Sequence, residues 1–120
     1  MIPESQAALA DHLEAAGLRV HIDATAAAPP CAVIEPGAPW ASLATRGQGV
    51  IVAWRVTLVA GLVATPASLT VLASLGATAL AALATMPALQ VGDLEAPSRW
   101  DQGGATYQAA GLTVRHHVSL

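Results

Sequence analysis

The chain has 120 residues and a formal net charge of −3, a size that suits a single domain spanning residues 1–120. Hydrophobic residues make up 54% and charged residues 11%, which excludes a disordered chain, because such chains combine low hydrophobicity with high charge. The five arginines form no basic cluster, which argues against sequence-independent binding to duplex nucleic acid.

The first part of the chain predicts a helix followed by a strand. Residues 3–16 are typical of a helix, since Pro3 suits the first helical position and Gly17 suits the position just after the end. Residues 18–22 alternate apolar and polar side chains, which predicts a half-buried strand with Leu18, Val20 and Ile22 facing inward. Residues 23–30 then predict a loop.

The middle of the chain predicts a short strand, a turn and one long strand. The short strand covers residues 31–35, residues 36–40 form a proline-rich turn, and residues 40–49 continue as a loop. Residues 50–63 predict the long strand, far beyond the average of about 5–6 residues. One of its faces carries Val50, Val52, Trp54, Val56 and Leu58, and the other carries Ile51, Ala53, Arg55, Thr57 and Val59. Because both faces are largely apolar, we expect the second to be covered by something besides helices, such as a neighbouring subunit.

A second helix is predicted over residues 65–86, with Thr65 as its N-cap and Pro66 after it. Its expected core stripe is Leu72, Leu75, Ala79, Leu83 and Met86, and its opposite side carries Thr70, Ser74, Thr78 and Thr85. No charged residue occurs between Arg55 and Asp93, which raises the possibility of a membrane span. Because the helix is built mainly from Ala, Ser and Thr without flanking cations, we expect no membrane span.

The end of the chain predicts two more strands, over residues 89–95 and 105–118, with a turn at Gly103 and Gly104. The predicted fold class is therefore α+β: a mixed, mostly antiparallel sheet packed with two helices, in the order α-β-β-β-α-β-β.

The sequence offers no combination of residues typical of an enzyme. It contains no nucleophile motif, phosphate-binding loop or zinc-protease motif, and Cys31 is the single cysteine. His21 and Asp23 are too few for a catalytic metal site, and His116 and His117 point to opposite faces of their strand. We interpret His12 as a surface residue. We therefore expect no catalytic activity, no metal and no cofactor.

Tryptophan and arginine side chains are the best candidates for interface residues, because both are enriched where proteins meet. Trp40 and Trp100 lie in predicted loops, and Trp54 is expected in the core. The candidate interface residues are Trp40, Arg46, Arg55, Arg99 and Trp100. The alternative that each loop tryptophan covers the core of its own subunit stays open.

Several segments in order carry a family resemblance: Leu18-Arg-Val-His-Ile22 after the first helix, Pro-Pro-x-Ala-Val-Ile over residues 29–34, Glu35-Pro-Gly-Ala-Pro-Trp40, Trp54-Arg-Val-Thr-Leu-Val-Ala-Gly61, the long Ala/Leu helix, Gly103-Gly-Ala-Thr-Tyr107 and Ala109-Ala-Gly-Leu-Thr-Val114. The sequence resembles the tail terminator, or tail completion, proteins of long-tailed bacteriophages, in the form common in phages of high-GC actinobacteria.

The resemblance implies a virion structural protein that is made in the host cytoplasm. Such proteins form a ring, usually a homohexamer, at the head-proximal end of the tail tube, stop tube polymerisation and join the tail to head-closure or connector proteins. Six chains of −3 would repel DNA passing through the lumen, so no specific DNA binding is expected. The alternatives are a head–tail connector, a minor tail protein or, from another class, a small soluble enzyme or ligand-binding domain.

Overall fold

A computed structural model describes residues 2–44, 49–62 and 66–119 of the chain. Two α-helices, six strands and one turn of 3-10 helix occur in this part. In chain order they are α1 (Ile2–Ala15), β1 (Val20–His21), the 3-10 turn (Ala24–Ala26), β2 (Cys31–Leu43), β3 (Gly49–Leu62), α2 (Pro66–Leu83), β4 (Leu89–Val91), β5 (Ser98–Gln102) and β6 (Ala105–Ser119).

The strands form one mixed, mostly antiparallel sheet, which confirms the predicted α+β class with two helices. The strand order is β1-β2-β3-β6-β4, and β5 also pairs with β6. β1 runs parallel to β2, and the other pairs are antiparallel. The longest pairing joins β3 to β6 and places Trp54 opposite Val114 and Val50 opposite Val118.

The long strand β3 organises the core, as its two apolar faces predict. Its first face is covered by α1 and α2, and Val52, Trp54, Val56 and Leu58 there are at most 1% exposed. Its second face contributes Val59 to a smaller cluster with Cys31, Val33 and Ala109. The sheet is thus packed on both sides, most deeply beneath the helices.

Each helix buries one stripe against the first face of the sheet. α1 buries Leu9 and Leu13 and ends before Gly17, whose φ of 95° suits a glycine after a helix. The predicted stripe of α2 is confirmed at Leu72, Ala79, Leu83 and Met86, which are all buried, and Leu75 is half-buried. The predicted N-cap Thr65 lies outside the described residues.

The predicted turn at residues 36–40 and the loop after it are wrong, because β2 continues to Leu43. The pairing of β2 with β3 shifts register between Pro36 and Ala41, and the Ala38–Pro39 peptide bond within the shift is cis. In the described residues, β1 pairs with β2 at Ala32 and Val33 alone. The rest of the outer edge of β2 therefore makes no hydrogen bonds to another strand, and a proline there interrupts none. The turn signal therefore coincides with a bulge at residues 37–40, after which β2 resumes its pairing with β3 at Ala41.

The strands β1 and β4 are shorter than predicted. The strand expected over residues 18–22 is limited to Val20–His21, and Ile22, expected to face inward, is 59% exposed. The strand expected over residues 89–95 ends at Val91. After Val91 the chain still follows β6, because Gly92 N donates to Thr113 O and Glu95 N donates to Gly111 O, both at 2.8 Å.

One strand, β5, was not predicted. Ser98–Gln102 pairs with β6 and turns into it at Gly103 and Gly104, whose φ values are 60° and 81°. The predicted glycine turn is confirmed, but the segment before it is a strand as well. The strand was missed because residues 98–102 carry polar side chains at most positions and lie at the sheet edge.

Candidate assembly surfaces

One flank of α2, about 100° around the helix from its buried stripe, carries apolar residues that the core does not use. Leu69, Ala73, Ala77, Leu80 and Ala84 recur at spacings of three and four residues and are all exposed. Leu69 is 50% exposed and Leu80 is 36% exposed. We call these five residues the helix surface. The side opposite the buried stripe bears the hydroxyl groups that the sequence predicts there, on Thr70, Ser74, Thr78 and Thr85. The apolar flank was not predicted, although the repeat of Leu69 and Leu80 with the alanines was available as a signal.

The helix that carries this surface has no charged residue over its 18 residues. It is also long and apolar enough to cross a membrane by length and composition, and 28% of it is buried inside the protein. A helix with few buried residues and no charge on its outside is unusual for a surface in contact with water. The helix surface is therefore a candidate for contact with a partner.

A second neutral surface lies on the far half of β2. This segment was expected to be a loop and is a strand in the structure. Trp40 is 46% exposed and Leu43 is 79% exposed, and Ala41 between them is exposed as well. We call these three residues the hairpin surface. No charged residue occurs from Pro36 to Thr45 in the sequence.

Trp40 of the hairpin surface is held in place by a core tryptophan. The rings of Trp40 and Trp54 meet edge to face, with centroids 6.0 Å apart and planes at 79°. Trp54 is 1% exposed, as predicted for a core residue. The Trp40 side chain is therefore ordered before any contact forms, which lowers the conformational entropy that the side chain would lose in a contact.

Trp54 is in turn fixed by a chain of buried hydrogen bonds. Its Nε1 donates to Ser5 Oγ at 3.0 Å, and Ser5 Oγ lies 2.6 Å from His116 Nδ1. Burial lowers the pKa of His116, and the nearby His117 lowers this pKa further. The neutral His116 ring can accept a hydrogen bond from the Ser5 hydroxyl at Nδ1, so these hydrogen bonds join α1, β3 and β6.

His12, interpreted from the sequence as a surface residue, connects the two helices instead. It is half-buried, and its Nε2 lies 2.7 Å from Ala82 O and 2.9 Å from Thr85 Oγ1. Thr85 Oγ1 also donates to Ala82 O at 2.8 Å. These contacts satisfy a carbonyl at the C-terminal end of α2 and fix α2 on α1.

Arg55, one of the candidate interface residues, is engaged within its own subunit. Its Nη2 lies 2.5 Å from Glu95 Oε1, and the two side chains are 42% and 57% exposed. The guanidinium crosses β6 at Gly111, where a side chain of any size would collide with it. This ion pair closes the second sheet face over Gly111, so Arg55 is a structural residue as much as an interface candidate.

Trp100 also packs on its own subunit, which was the alternative kept open for it. Its ring lies 6.0 Å from that of Tyr107, with planes at 50°, and it covers the cluster that contains Cys31 and Val59. Its neighbour Arg99 is exposed on β5. The fifth candidate, Arg46, lies outside the described residues.

The structure does not bring the candidate interface residues together. Trp40 lies beside Trp54, which pairs with Val114 of β6. Trp100 pairs with Tyr107, seven residues away along the same strand. At about 3.3 Å per residue the two sites are about 23 Å apart along the sheet. They belong to separate surfaces.

Two shallow grooves occur in the described residues, and neither gathers a reactive set of side chains. One of about 660 Å³ is lined by Glu14, Gly17, Leu18, Arg19, Val20, Pro30 and Leu75. The other, of about 340 Å³, is lined by Ile51, Ala88, Leu89, Gln90, Arg115 and His117. In the ranges 2–44, 49–62 and 66–119, no three His, Cys, Asp or Glu side chains are placed to hold a metal ion. Cys31 is buried, and burial raises the pKa of its thiol.

The chain matches no protein-family model, and no curated protein matches it in sequence. Any functional interpretation therefore rests on the residues themselves and on the two surfaces.

Proposed function

We propose that this protein is a virion structural component that forms a ring at the head-proximal end of a phage tail tube. In this role it stops polymerisation of the tube and joins the tail to the head-closure or connector proteins. The observation that carries the proposal is the helix surface, a charge-free stripe on the flank of a helix whose adjacent face is buried in the core. The family resemblance of the ordered sequence segments supplies the particular assembly.

The energetic reason is that exposed apolar area is costly unless a partner covers it. Each Å² of apolar surface removed from water contributes roughly 25 cal/mol. Monomeric proteins rarely leave contiguous apolar patches beyond a few hundred Å² in contact with water, and larger ones mark interaction sites. A permanent assembly, whose interfaces commonly exceed about 2,000 Å² and are apolar, accounts for such a surface in a small protein.

A ring suits the terminator role because it has two unlike sides. A closed ring forms when each copy presents two different patches to its neighbours and the rotation returns to the start. One side of the ring then docks on the last ring of tube subunits, and the other offers a surface that further tube subunits do not fit. The net charge of −3 per copy leaves DNA in the lumen repelled and not held.

The position in the virion is tested by removing the gene from the phage that carries it. A terminator leaves tails of uncontrolled length, which electron microscopy measures directly. A head–tail connector, the second candidate, leaves tails of normal length without heads. Immunogold labelling should place the protein at the head-proximal end of the tail, and labelling at the distal tip or along the tube would contradict the proposal.

A further inference from the structure

We propose that the helix surface of one copy packs against the hairpin surface of the next copy, head to tail. The inference rests on the proposed ring, because it names the two unlike patches that such a ring needs. The occupant of each surface is therefore a second copy of this chain.

The first residue of the helix surface and the hairpin surface lie toward different ends of the sheet. Leu43 of the hairpin surface pairs with Val50, the second residue of β3. Leu69 of the helix surface follows soon after Leu62, the last residue of β3. The 14 residues of β3 span about 43 Å at about 3.3 Å per residue. Since Leu43 and Leu69 are held at opposite ends of this strand, a contact between them joins two copies.

The residues of both surfaces carry no charge, whereas three other exposed elements of the molecule do. α1 exposes Glu4, Asp11 and Glu14, β5 exposes Arg99 and Asp101, and β6 exposes Arg115. A charged partner surface would have to give up its water against apolar side chains, which is unfavourable. The neutral helix surface therefore matches the neutral hairpin surface better than it matches the charged elements of the chain.

The sizes of the side chains are complementary as well. On the helix surface, Ala73 and Ala77 lie between Leu69 and Leu80, which leaves a notch of small residues between two larger ones. The hairpin surface projects Trp40, fixed edge-on against Trp54, and Leu43, the most exposed large apolar side chain. Large side chains that enter depressions between ridges are the usual geometry of apolar contacts with a helix.

Two edge segments of the sheet disfavour the other common mode of association, the addition of strands. The exposed β5 carries the charges of Arg99 and Asp101. The far half of β2 contains Pro36 and Pro39, which have no N–H to donate to an added strand. At these two segments, contact between copies is thus left to side-chain packing.

Two charge substitutions, one on each surface, test the pairing. Leu69→Glu damages the helix surface, Leu43→Glu damages the hairpin surface, and Ala7→Glu adds the same charge at an exposed position of α1 as the matched control. Sedimentation velocity is measured for each protein up to about 1 mM, the weak end of specific affinities. Circular dichroism checks that each variant is folded, and Leu43→Ser repeats the hairpin variant without a charge.

The expected result is association of the unmodified chain and of Ala7→Glu, and monomers for Leu69→Glu and for Leu43→Glu. An equal mixture of these two variants should form a one-to-one dimer, because each retains the surface that the other has lost. A mixture that stays monomeric overturns the pairing, as does dimerisation of Leu43→Glu alone, which would indicate contact between two helix surfaces.

An unmodified chain that stays monomeric at about 1 mM also overturns the pairing. If it then binds phosphatidylcholine vesicles and Leu69→Glu does not, the occupant of the helix surface is a bilayer. Tail length separates the two proposals. Tails of normal length after gene removal contradict the terminator role alone. Phages that carry Leu69→Glu or Leu43→Glu and still make tails of normal length contradict the pairing alone.

Discussion

Ser5 shows how one small polar side chain can connect three elements. It is 2% exposed in the first turns of α1 and contacts Trp54 of β3 and His116 of β6. The sequence predicted that Trp54 lies in the core, because it shares a face with Val52 and Val56. It could not predict the partners, since Ser5 and His116 are 111 positions apart and nothing in a serine's local pattern marks it as buried.

Ser5→Ala should lower the free energy of unfolding by about 1–3 kcal/mol, because it leaves a buried indole N–H without its acceptor and removes the contact to His116. Urea denaturation measures the change. Ser74→Ala, at an exposed position of α2, is the matched control and should stay within about 0.5 kcal/mol of the unmodified protein. Equal effects of the two substitutions would show that the Ser5 hydrogen bonds contribute nothing measurable.

The same contacts make stability depend on pH. The pKa of His116 is lowered from its ordinary value of 6.5, mainly by burial, so at pH values between the two the unfolded chain binds the proton and the folded chain does not. The contribution of the neutral His116 to the free energy of unfolding is therefore complete above pH 6.5 and is lost as the pH falls through the folded-state pKa. Denaturation midpoints at a series of pH values measure the decline.

His116→Gln should flatten this part of the pH profile, since glutamine does not titrate. His117→Gln is the matched control and should retain the decline, because the burial of His116 persists. A profile that is unchanged in His116→Gln would assign the pH dependence to other groups.

At the scale of elements, the sequence predicted most where side-chain periodicity and helix ends agree. β3, both helices and the glycine turn follow from such patterns. β2 beyond Glu35 did not, because Pro36, Gly37 and Pro39 resemble a turn until β3 is beside them. The ion pair of Arg55 with Glu95 joins residues 40 apart and depends on the gap at Gly111, which only the assembled sheet reveals.

The β5–β6 turn depends on glycine at two successive positions with positive φ. Gly103→Val should destabilise the protein by about 1–2 kcal/mol, because a β-branched residue is strained in this conformation. Gly103→Asn tolerates positive φ and is the matched control, with a smaller loss. Thermal unfolding followed by tryptophan fluorescence measures both. Equal losses would show that the side chain, and not the backbone conformation, determines the effect.

At the scale of the whole molecule, the extents of 48 × 27 × 22 Å describe an elongated body set by β3 and β6. Composition predicted that such a chain folds around a core. Composition could not predict which apolar residues stay exposed, because Leu69 and Leu72 are the same residue type and differ only in the direction in which they face. Helical periodicity separates the two leucines, but only the arrangement of the elements shows that the helix surface and the hairpin surface are left uncovered within the chain.

The charge of the whole chain gives a prediction about DNA. At a net charge of −3, we expect no retardation of duplex DNA in gel-shift experiments at about 0.15 M salt, where non-specific binding depends on neutralised phosphates. Replacing Glu4, Asp11 and Glu14 together with lysine turns the exposed side of α1 basic and should produce weak, salt-sensitive retardation. Retardation by the unmodified chain would contradict a lumen that repels DNA.

The central position of β3 has a consequence for biosynthesis. One of its neighbours, β2, precedes it in the chain, but the other, β6, is formed by residues 105–119. During translation one edge of β3 therefore stays unpaired while α2, β4 and β5 leave the ribosome. The core closes only when β6 has left the ribosome, so β3 acquires its second neighbour only after residues 105–119 have been translated.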